Sequence, residues 1–140
     1  MASMSETEID ALLAQPEMGV LCTVDSDGRP EGTPIWFDHD AGRVRILVGG
    51  GSKKARNIRA NANVSLTVDT RQAPYRGVVL RGTAALSGPD PELRRRLAVR
   101  YLGEEVGHRY LEGTRDLDEQ DVLVTVTVSG RFSWDYSKGY

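Results

Sequence analysis

The sequence predicts a mainly β protein with added helices, built as an antiparallel barrel of about six strands. Short segments that alternate apolar and polar residues recur along the chain, most clearly over residues 64–68 and 122–128. Most connections are too short to hold a crossover helix, which favours antiparallel neighbours. With 140 residues, 39% of them hydrophobic and 27% charged, the chain suits one domain over residues 1–140.

The N-terminal half begins with a predicted helix over residues 6–15. Apolar residues recur there on one helical face, and Ser5 with Glu8 matches a capping box. Three strands follow, and the turns that join them are rich in Asp and Gly, which favours hairpins. These strands are predicted over residues 18–24, 30–37 and 43–48, with turns at residues 25–29 and 38–42.

Beyond the third strand the sequence predicts a short helix over residues 53–60. Ala55, Ile58 and Ala62 mark its inner face. A long β stretch later in the chain is interrupted by two glycines, which indicate a bulge or the close approach of another group. The remaining predictions are strands over residues 64–68, 75–86 and 122–128, a helix over residues 90–110, and an extended segment over residues 131–136.

Residues 49–57, Gly-Gly-Gly-Ser-Lys-Lys-Ala-Arg-Asn, are the segment most informative about function. They follow an apolar strand and lead into a helix, in a stretch from residue 41 to residue 68 that contains no Asp or Glu. Backbone N–H groups, the helix dipole and ammonium groups can converge there on an anion. We interpret the segment as the phosphate-binding loop of a nucleotide-like cofactor. Although the formal net charge of the chain is -2, the acid-free stretch contains Arg43, Arg45, Lys53, Lys54, Arg56 and Arg59.

Side chains for acid–base, nucleophilic or metal chemistry show no recognisable arrangement. His39 lies in a turn, His108 lies in a helix, and Cys22 lies in an apolar run where a buried thiol is expected. Their spacing matches no metal site, so no metal is predicted. When so few side chains are arranged for catalysis, we expect a cofactor to perform the reaction. Hydride transfer is a reaction of that kind. No catalytic residue is identified from the sequence.

Charge and hydropathy limit the partners and the location. The balance of 18 Lys and Arg against 20 Asp and Glu argues against general binding to nucleic acid or to membrane surfaces. An oligonucleotide-binding barrel would interleave aromatic residues with basic ones, but residues 42–69 contain no aromatic residue. The N-terminus lacks a signal-peptide core, and no apolar run approaches the roughly 20 residues of a membrane span. A cytoplasmic protein is therefore expected.

Six segments, which include the loop described above, form an ordered set of motifs. They are Met-Gly-Val-Leu-Cys-Thr-Val at residues 18–24, Asp-Gly-Arg-Pro at 27–30, Thr-Pro-Ile-Trp-Phe at 33–37, Ser-Lys-Lys-Ala-Arg-Asn-Ile-Arg at 52–59, Val-Ser-Leu-Thr-Val-Asp at 64–69, and Gly-Thr-Ala at 82–84. In this order they resemble the pyridoxamine 5'-phosphate oxidase-like superfamily of flavin-binding split β-barrels, and within it the flavin/deazaflavin-dependent oxidoreductases. The resemblance implies a six-stranded antiparallel split β-barrel and a homodimer with its cofactors at the subunit interface.

The resemblance also implies which residues bind the cofactor, either the deazaflavin coenzyme F420 or FMN. Ser52, Lys53 and Lys54 would bind the phosphate, with Arg56 and Asn57 in support. Trp134 is expected to reach the cofactor of the partner subunit. Arg56 and Arg59 can meet the extra negative charge of the F420 tail, which favours the deazaflavin. The residues expected along or beside the ring system are Thr33, Pro34, Ile35, Trp36, Val48 and Gly49.

These expectations define an oxidoreductase that transfers a hydride between a flavin-type cofactor and a small organic substrate. Two alternatives stay open: a flavin-binding or carrier protein without turnover, and an FMN-dependent enzyme of the pyridoxamine phosphate oxidase type. Pyridoxamine phosphate oxidases bind substrate with a C-terminal segment rich in Arg and His. Residues 131–140 do not match that segment, which counts against vitamin B6 oxidation.

Overall fold

Seven antiparallel strands and five helices make up the computed structural model, which describes residues 2–139. The strands are β1 (Gly19–Val24), β2 (Pro30–Ile35), β3 (Asp38–Asp40), β4 (Arg43–Gly49), β5 (Asn63–Asp69), β6 (Arg76–Ser87) and β7 (Asp121–Asp135). The helices are α1 (Glu6–Leu13), α2 (Lys53–Ala60), α3 (Pro91–Leu102), α4 (Glu104–Gly113) and α5 (Leu117–Gln120), and a 3₁₀ turn follows at Tyr136–Lys138. In the described part of the chain, no helix is long and apolar enough to cross a membrane.

The strands form one sheet in the order β2-β1-β5-β6-β7-β4-β3. One face of each long strand contributes to a single apolar core, because alternate residues point to the same side. Five core side chains from five strands are at most 1% exposed: Leu21, Ile46, Leu66, Leu80 and Val124. The prediction of a mainly β, antiparallel architecture with added helices is therefore confirmed.

The sheet is not closed, and this opening positions the functional site. Among residues 2–139, β2 pairs only with β1, so its other edge is free. At the other end of the sheet, β3 covers β4 only from Arg43 to Arg45. The second half of β4, up to Gly49, thus has a free edge on the side away from β7. The two free edges define an open seam between β2 and β4.

The sequence predicted six strands, and the seventh is β3, which lies in a segment predicted as a turn. Asp38 pairs with Arg45 across the β3–β4 hairpin, and Asp38 Oδ2 accepts a hydrogen bond from Arg45 Nη2 at 2.7 Å. The actual turn is only Ala41 and Gly42, with φ of 51° and 77°. Positive φ at both positions is the geometry of a tight two-residue hairpin. The turn prediction was too long because Asp residues also occur at the ends of short strands.

The helical predictions need three corrections. The helix predicted over residues 90–110 is two helices, because Gly103 adopts φ 85° and ψ 171°, which ends α3 and begins α4. The short helix α5 was not predicted at all. Ala62 was assigned to the inner face of α2 but is exposed, because α2 ends at Ala60 and the chain then turns into β5.

Other local predictions are confirmed. Helix α1 begins with the expected capping box, in which Ser5 Oγ accepts from the N–H of Glu8 at 3.1 Å. The register of β6 against β7 shifts at Arg81 and Gly82, which is the bulge that the strand glycine indicated. Cys22 differs from its prediction. It is half-buried on the outer face of β1, because the neighbouring residues of β1 alternate into the core.

Candidate functional site

A cavity of about 350 Å³ lies at the open seam. Pro34, Ile35 and Trp36 line it from β2 and the residue that follows, and Val48 and Gly49 line it from β4. All five were predicted from the sequence to lie along or beside a cofactor ring. The structure brings them to one cavity because the two strands face each other across the seam without hydrogen bonds between them.

Aromatic side chains from the helices cover one side of this cavity. The rings of Trp36 and Tyr101 stack with centroids 5.3 Å apart and planes 3° apart, and Tyr110 meets Trp36 edge-on at 5.5 Å. The Tyr101 hydroxyl donates to the Glu17 carbonyl at 2.9 Å and accepts from the Phe37 N–H at 3.2 Å. These bonds fix α3 against the end of β2, so the aromatic wall is rigid on the Tyr101 side.

The loop between β4 and α2 is held open by its own side chains. Arg56 Nη1 donates to the Gly51 carbonyl at 2.7 Å, and Arg59 Nη1 donates to the Gly50 carbonyl at 3.0 Å. Ser52 caps α2, since its Oγ accepts from the Ala55 N–H at 3.2 Å. With the carbonyl groups occupied by guanidinium groups, the loop presents N–H groups rather than oxygens to an incoming ligand.

Three backbone N–H groups of this loop are available to an anion. Those of Gly51, Lys53 and Lys54 donate to no acceptor within residues 2–139. A Cβ atom at Gly51 would meet nothing within 4 Å, so the space in front of the loop is open. The Lys54 side chain lines the cavity beside them. An eight-residue helix with free N–H groups and an adjacent ammonium group is well suited to a phosphate.

The two loop lysines are placed differently. Lys54 faces the cavity, whereas Lys53 Nζ lies 2.7 Å from Glu31 Oε1 on β2. The stretch that contains no acid in sequence therefore has one carboxylate beside it in space. This ion pair joins α2 to β2 and leaves Lys54 as the lysine that lines the cavity.

Two of the six basic residues do not belong to the loop. Arg43 and Arg45 lie at the far end of β4, and Arg45 binds Asp38 through Nε at 3.0 Å and Nη2 at 2.7 Å. The carboxylate of Asp38 raises the pKa of the Arg45 guanidinium. A strand of seven residues separates its ends by about 20 Å, so these two arginines lie away from the loop.

The remaining predicted residues occupy distinct environments. Asn57 is 5% exposed, and its Nδ2 donates to Thr23 Oγ1 at 3.0 Å. Thr33 has a buried Oγ1 without a hydrogen-bond partner among the described residues. Trp134 lies outside the cavity of its own chain, on the outer face of the sheet, where its ring covers Gly77. The roles of these three residues toward a cofactor stay predictions.

The cavity also contains residues that sequence reasoning missed. Arg94, Leu97 and Tyr110 reach it from α3 and α4, and Asp121 reaches it from the start of β7. Arg94 is 5% exposed, and its Nε donates to Asp118 Oδ1 at 2.7 Å. In the sequence it belongs to the run of three arginines at residues 94–96, a pattern that is typical of a solvent-exposed helix face. No local signal distinguishes it, because its burial depends on how α3 packs against α4 and α5.

Asp121 is the one carboxyl group that lines the cavity in the described structure. Burial raises its pKa, and the neighbouring carboxylates of Asp116 and Asp118 add to that effect, while the Arg94 guanidinium opposes it. Across the sheet Asp121 pairs with Gly49, and the Gly50 N–H donates to the Gln120 carbonyl at 3.0 Å. Asp121 is thereby held directly beside the loop between β4 and α2.

An open-seamed antiparallel barrel, with a loop of unpaired backbone N–H groups at the seam, is typical of the class of flavin-binding split barrels. The family model described as pyridoxamine 5'-phosphate oxidase matches residues 5–134. This chain belongs to that family. The resemblance inferred from the motifs is therefore confirmed.

Three solved structures with the same fold are similar to this chain. It is similar to an F420 reductase, with 30% identity and a TM-score of 0.75, over 88% of this chain and 94% of that one. It is also similar to the conserved hypothetical protein Rv2991 from Mycobacterium tuberculosis, with 27% identity and a TM-score of 0.78, over 96% and 87%. An FAD-binding protein from Mesorhizobium loti shares the fold at 17% identity and a TM-score of 0.67, over 94% of each chain.

Proposed function

We propose that this protein is an oxidoreductase that moves a hydride between a flavin-type cofactor and a small organic molecule. The observation that carries this proposal is the position of the anion-binding loop beside an aromatic-walled cavity at the open seam. One end of the cavity suits a phosphate, and the other suits a flat conjugated ring. The F420 reductase that is 30% identical supports the same reaction class.

The residues present fit a phosphate-bearing flavin or deazaflavin. The N–H groups of Gly51, Lys53 and Lys54 lack acceptors in the described chain, and Lys54 lines the cavity beside them. A bound cofactor that supplies acceptors to these donors would remove the cost of leaving them unpaired. When bound, the cofactor supplies the hydride chemistry. The loop and Lys54 would hold the phosphate, and Trp36 and Val48 would hold the ring in the cavity that they line.

Coenzyme F420 is our first candidate, and FMN is the second. The structure weakens one argument for F420, since Arg56 and Arg59 each use a guanidinium nitrogen to hold loop carbonyls. Both side chains are nevertheless exposed beside the loop, where their other N–H groups can meet an acidic tail. The similarity to an F420 reductase tilts the choice in the same direction.

Equilibrium titration of the protein with F420 and with FMN tests this proposal. We expect at least one of them to bind at micromolar concentration, and Lys54→Ala to weaken binding by about tenfold, or about 1.4 kcal/mol. Arg43→Ala is the matched control, because Arg43 is an exposed basic residue at the other end of β4. Equal losses in the two variants would show that the effect is general electrostatics rather than the loop.

Turnover is tested separately, with quinone and enone acceptors and the reduced cofactor. Reduction of an acceptor by the loaded protein supports an enzyme. Tight binding without reduction of any acceptor would support the carrier alternative instead. A wild-type protein that binds neither cofactor at micromolar concentration contradicts the whole proposal.

We also propose that the protein is a homodimer. A row of outward-facing residues crosses four neighbouring strands: Val20, Thr67, Val79 and Phe132. Phe132 is 53% exposed, and its ring lies 5.9 Å from that of Trp134. Exposed aromatic residues on a flat sheet face are typical of a protein interface. In such a dimer Trp134 would lie at the interface, which supports its expected role toward the partner's cofactor.

A further inference from the structure

The position of the Asp121 carboxyl group in the cavity is not explained by the binding of a phosphate or of a ring. It lines the cavity next to Gly49, at the junction of the phosphate-binding loop and the ring-binding wall. An anionic carboxylate at this place would repel the phosphate of the cofactor and weaken its binding. A neutral, protonated carboxyl group would not, and it would bring a transferable proton into the site.

The surroundings of Asp121 leave its carboxyl group without a fixed partner. Within residues 2–139 it makes no hydrogen bond and no ion pair. Arg94 is the cation whose charge acts on it, but Arg94 directs Nε to Asp118 Oδ1 at 2.7 Å, Nη1 to Thr114 Oγ1 at 3.1 Å and Nη2 to the Thr114 carbonyl at 2.9 Å. The guanidinium is thereby held toward α5, and Asp121 is left to face the cavity.

The groups packed around Asp121 act on its charge in both directions. Asp116 and Asp118 disfavour the carboxylate, and Arg94 favours it. Lys54 and the Tyr110 phenol line the same cavity from α2 and α4. Burial is the largest effect and raises the pKa of Asp121. A cofactor phosphate at the loop would neutralise Lys54 and cover Asp121, and both changes shift the carboxyl group further toward its protonated form.

We propose that Asp121 is the proton donor of this site: it holds a proton while the cofactor is bound and gives it to the substrate. This inference rests on the proposed function. A conjugated enone or quinone receives a hydride from the reduced cofactor at one atom. The electron pair displaced by that hydride moves to the far end of the conjugated system, where the Asp121 O–H bond breaks and a new bond to hydrogen forms. Asp121 is left as a carboxylate, and it takes up a proton from the buffered solvent after product release.

Proton uptake measured by calorimetry tests the first half of the proposal without any turnover. Titrations with FMN and with F420 are run at mildly acidic pH, in two buffers that differ in ionisation enthalpy. We expect wild type to take up more protons than Asp121→Asn, because the amide cannot be protonated there. Glu119→Gln is the matched control: it removes an exposed carboxylate of the same neighbourhood that neither lines the cavity nor acts on the charge of Asp121, and it should keep the wild-type uptake.

The pH dependence of affinity provides a second readout. If the carboxyl group must be protonated in the complex, the affinity of wild type for the cofactor falls as pH rises through the pKa that Asp121 has in the protein without cofactor. Asp121→Asn mimics the protonated acid, so its affinity should not fall in that range. Above neutrality it should bind the cofactor at least about threefold more tightly than wild type does. The donor role predicts that Asp121→Asn reacts more slowly although it binds the cofactor more tightly. Its single-turnover reduction of menadione or cyclohexenone should be slower than that of wild type by about 100-fold.

The possible results separate this inference from the proposed function. If wild type binds no cofactor, or binds it and reduces neither acceptor, the proposed function fails and the donor role fails with it. If wild type binds and reduces an acceptor, two results overturn the donor role alone: equal proton uptake by Asp121→Asn, or an unchanged rate. A thermal melt checks the fold of the variant, and ¹³C NMR titration of the Asp121 carboxyl in wild type with bound cofactor gives the same answer without a substitution.

Discussion

At the scale of single residues, the loop after β4 contains two kinds of polar side chain. Ser52, Arg56 and Arg59 bind the backbone of the loop, and Lys54 faces the cavity. A sequence motif cannot separate these groups, because both kinds of residue occur within the same eight residues, 52–59. The two groups differ in whether the side chain points to the loop backbone or to the cavity. Substitutions in the first group should change the stability of the fold, and substitutions in the second should change the affinity for a ligand.

Asn57 belongs to the group that supports the fold. Its side chain is 5% exposed and donates to Thr23 Oγ1 of β1 at 3.0 Å, which joins α2 to the sheet. We expect Asn57→Ala to lower the free energy of unfolding by about 1–3 kcal/mol, since a buried hydrogen bond is lost and Thr23 loses its donor. Chemical denaturation measures this loss. Asn63→Ala, at an exposed position, is the control and should have almost no effect.

At the scale of elements, the sequence predicted most strands and helices, because each has its own periodicity or cap. Helix α2 was predicted over its full observed range, from Lys53 to Ala60. The break between α3 and α4 was missed, since apolar residues continue on a helical spacing through Gly103. One glycine within a helical pattern is usually tolerated, and only its backbone angles show that the helix ends there.

Gly103 is a position where the backbone itself requires glycine. Its φ of 85° and ψ of 171° lie in a region that side chains strongly disfavour, although a Cβ atom there would meet nothing within 4 Å. We expect Gly103→Ala to destabilise the protein by about 1–3 kcal/mol through backbone strain alone. Gly88→Ala is a matched control, because it has equally open space and no positive φ. A similar loss of stability in both variants would contradict this explanation.

The break at Gly103 also shapes the site. It folds α4 back on α3, and the Cβ of an alanine at Gly107 would lie 3.0 Å from the Ala98 carbonyl, so the helices approach closely. This close approach brings Tyr110 of α4 to the ring of Trp36. The cavity wall formed by α3 and α4 could not be predicted, because it results from packing between elements and has no local sequence pattern.

At the scale of the whole molecule, the row of outward-facing residues across the sheet leads to a prediction about assembly. We expect wild type to be a dimer by light scattering, and Phe132→Glu to shift it toward the monomer, since a charge at the centre of an apolar interface must be desolvated. Phe132 is 53% exposed in the single chain, so its replacement should leave the folded protomer stable. Arg71→Glu, a charge reversal at a site 78% exposed, is the control. A monomeric wild type would overturn the dimer proposal.

The place of β7 in the sheet has a consequence for how the protein is made. β7 is the last strand in the described chain, yet it lies between β6 and β4, and within residues 2–139 the β3–β4 hairpin joins the sheet only through it. Until β7 leaves the ribosome, Leu47, Val48 and Gly49 have no strand to hold them against the rest of the barrel. The cavity at the seam is therefore completed only once β7 has emerged, so we expect a nascent chain to bind the proposed cofactor no earlier than that point.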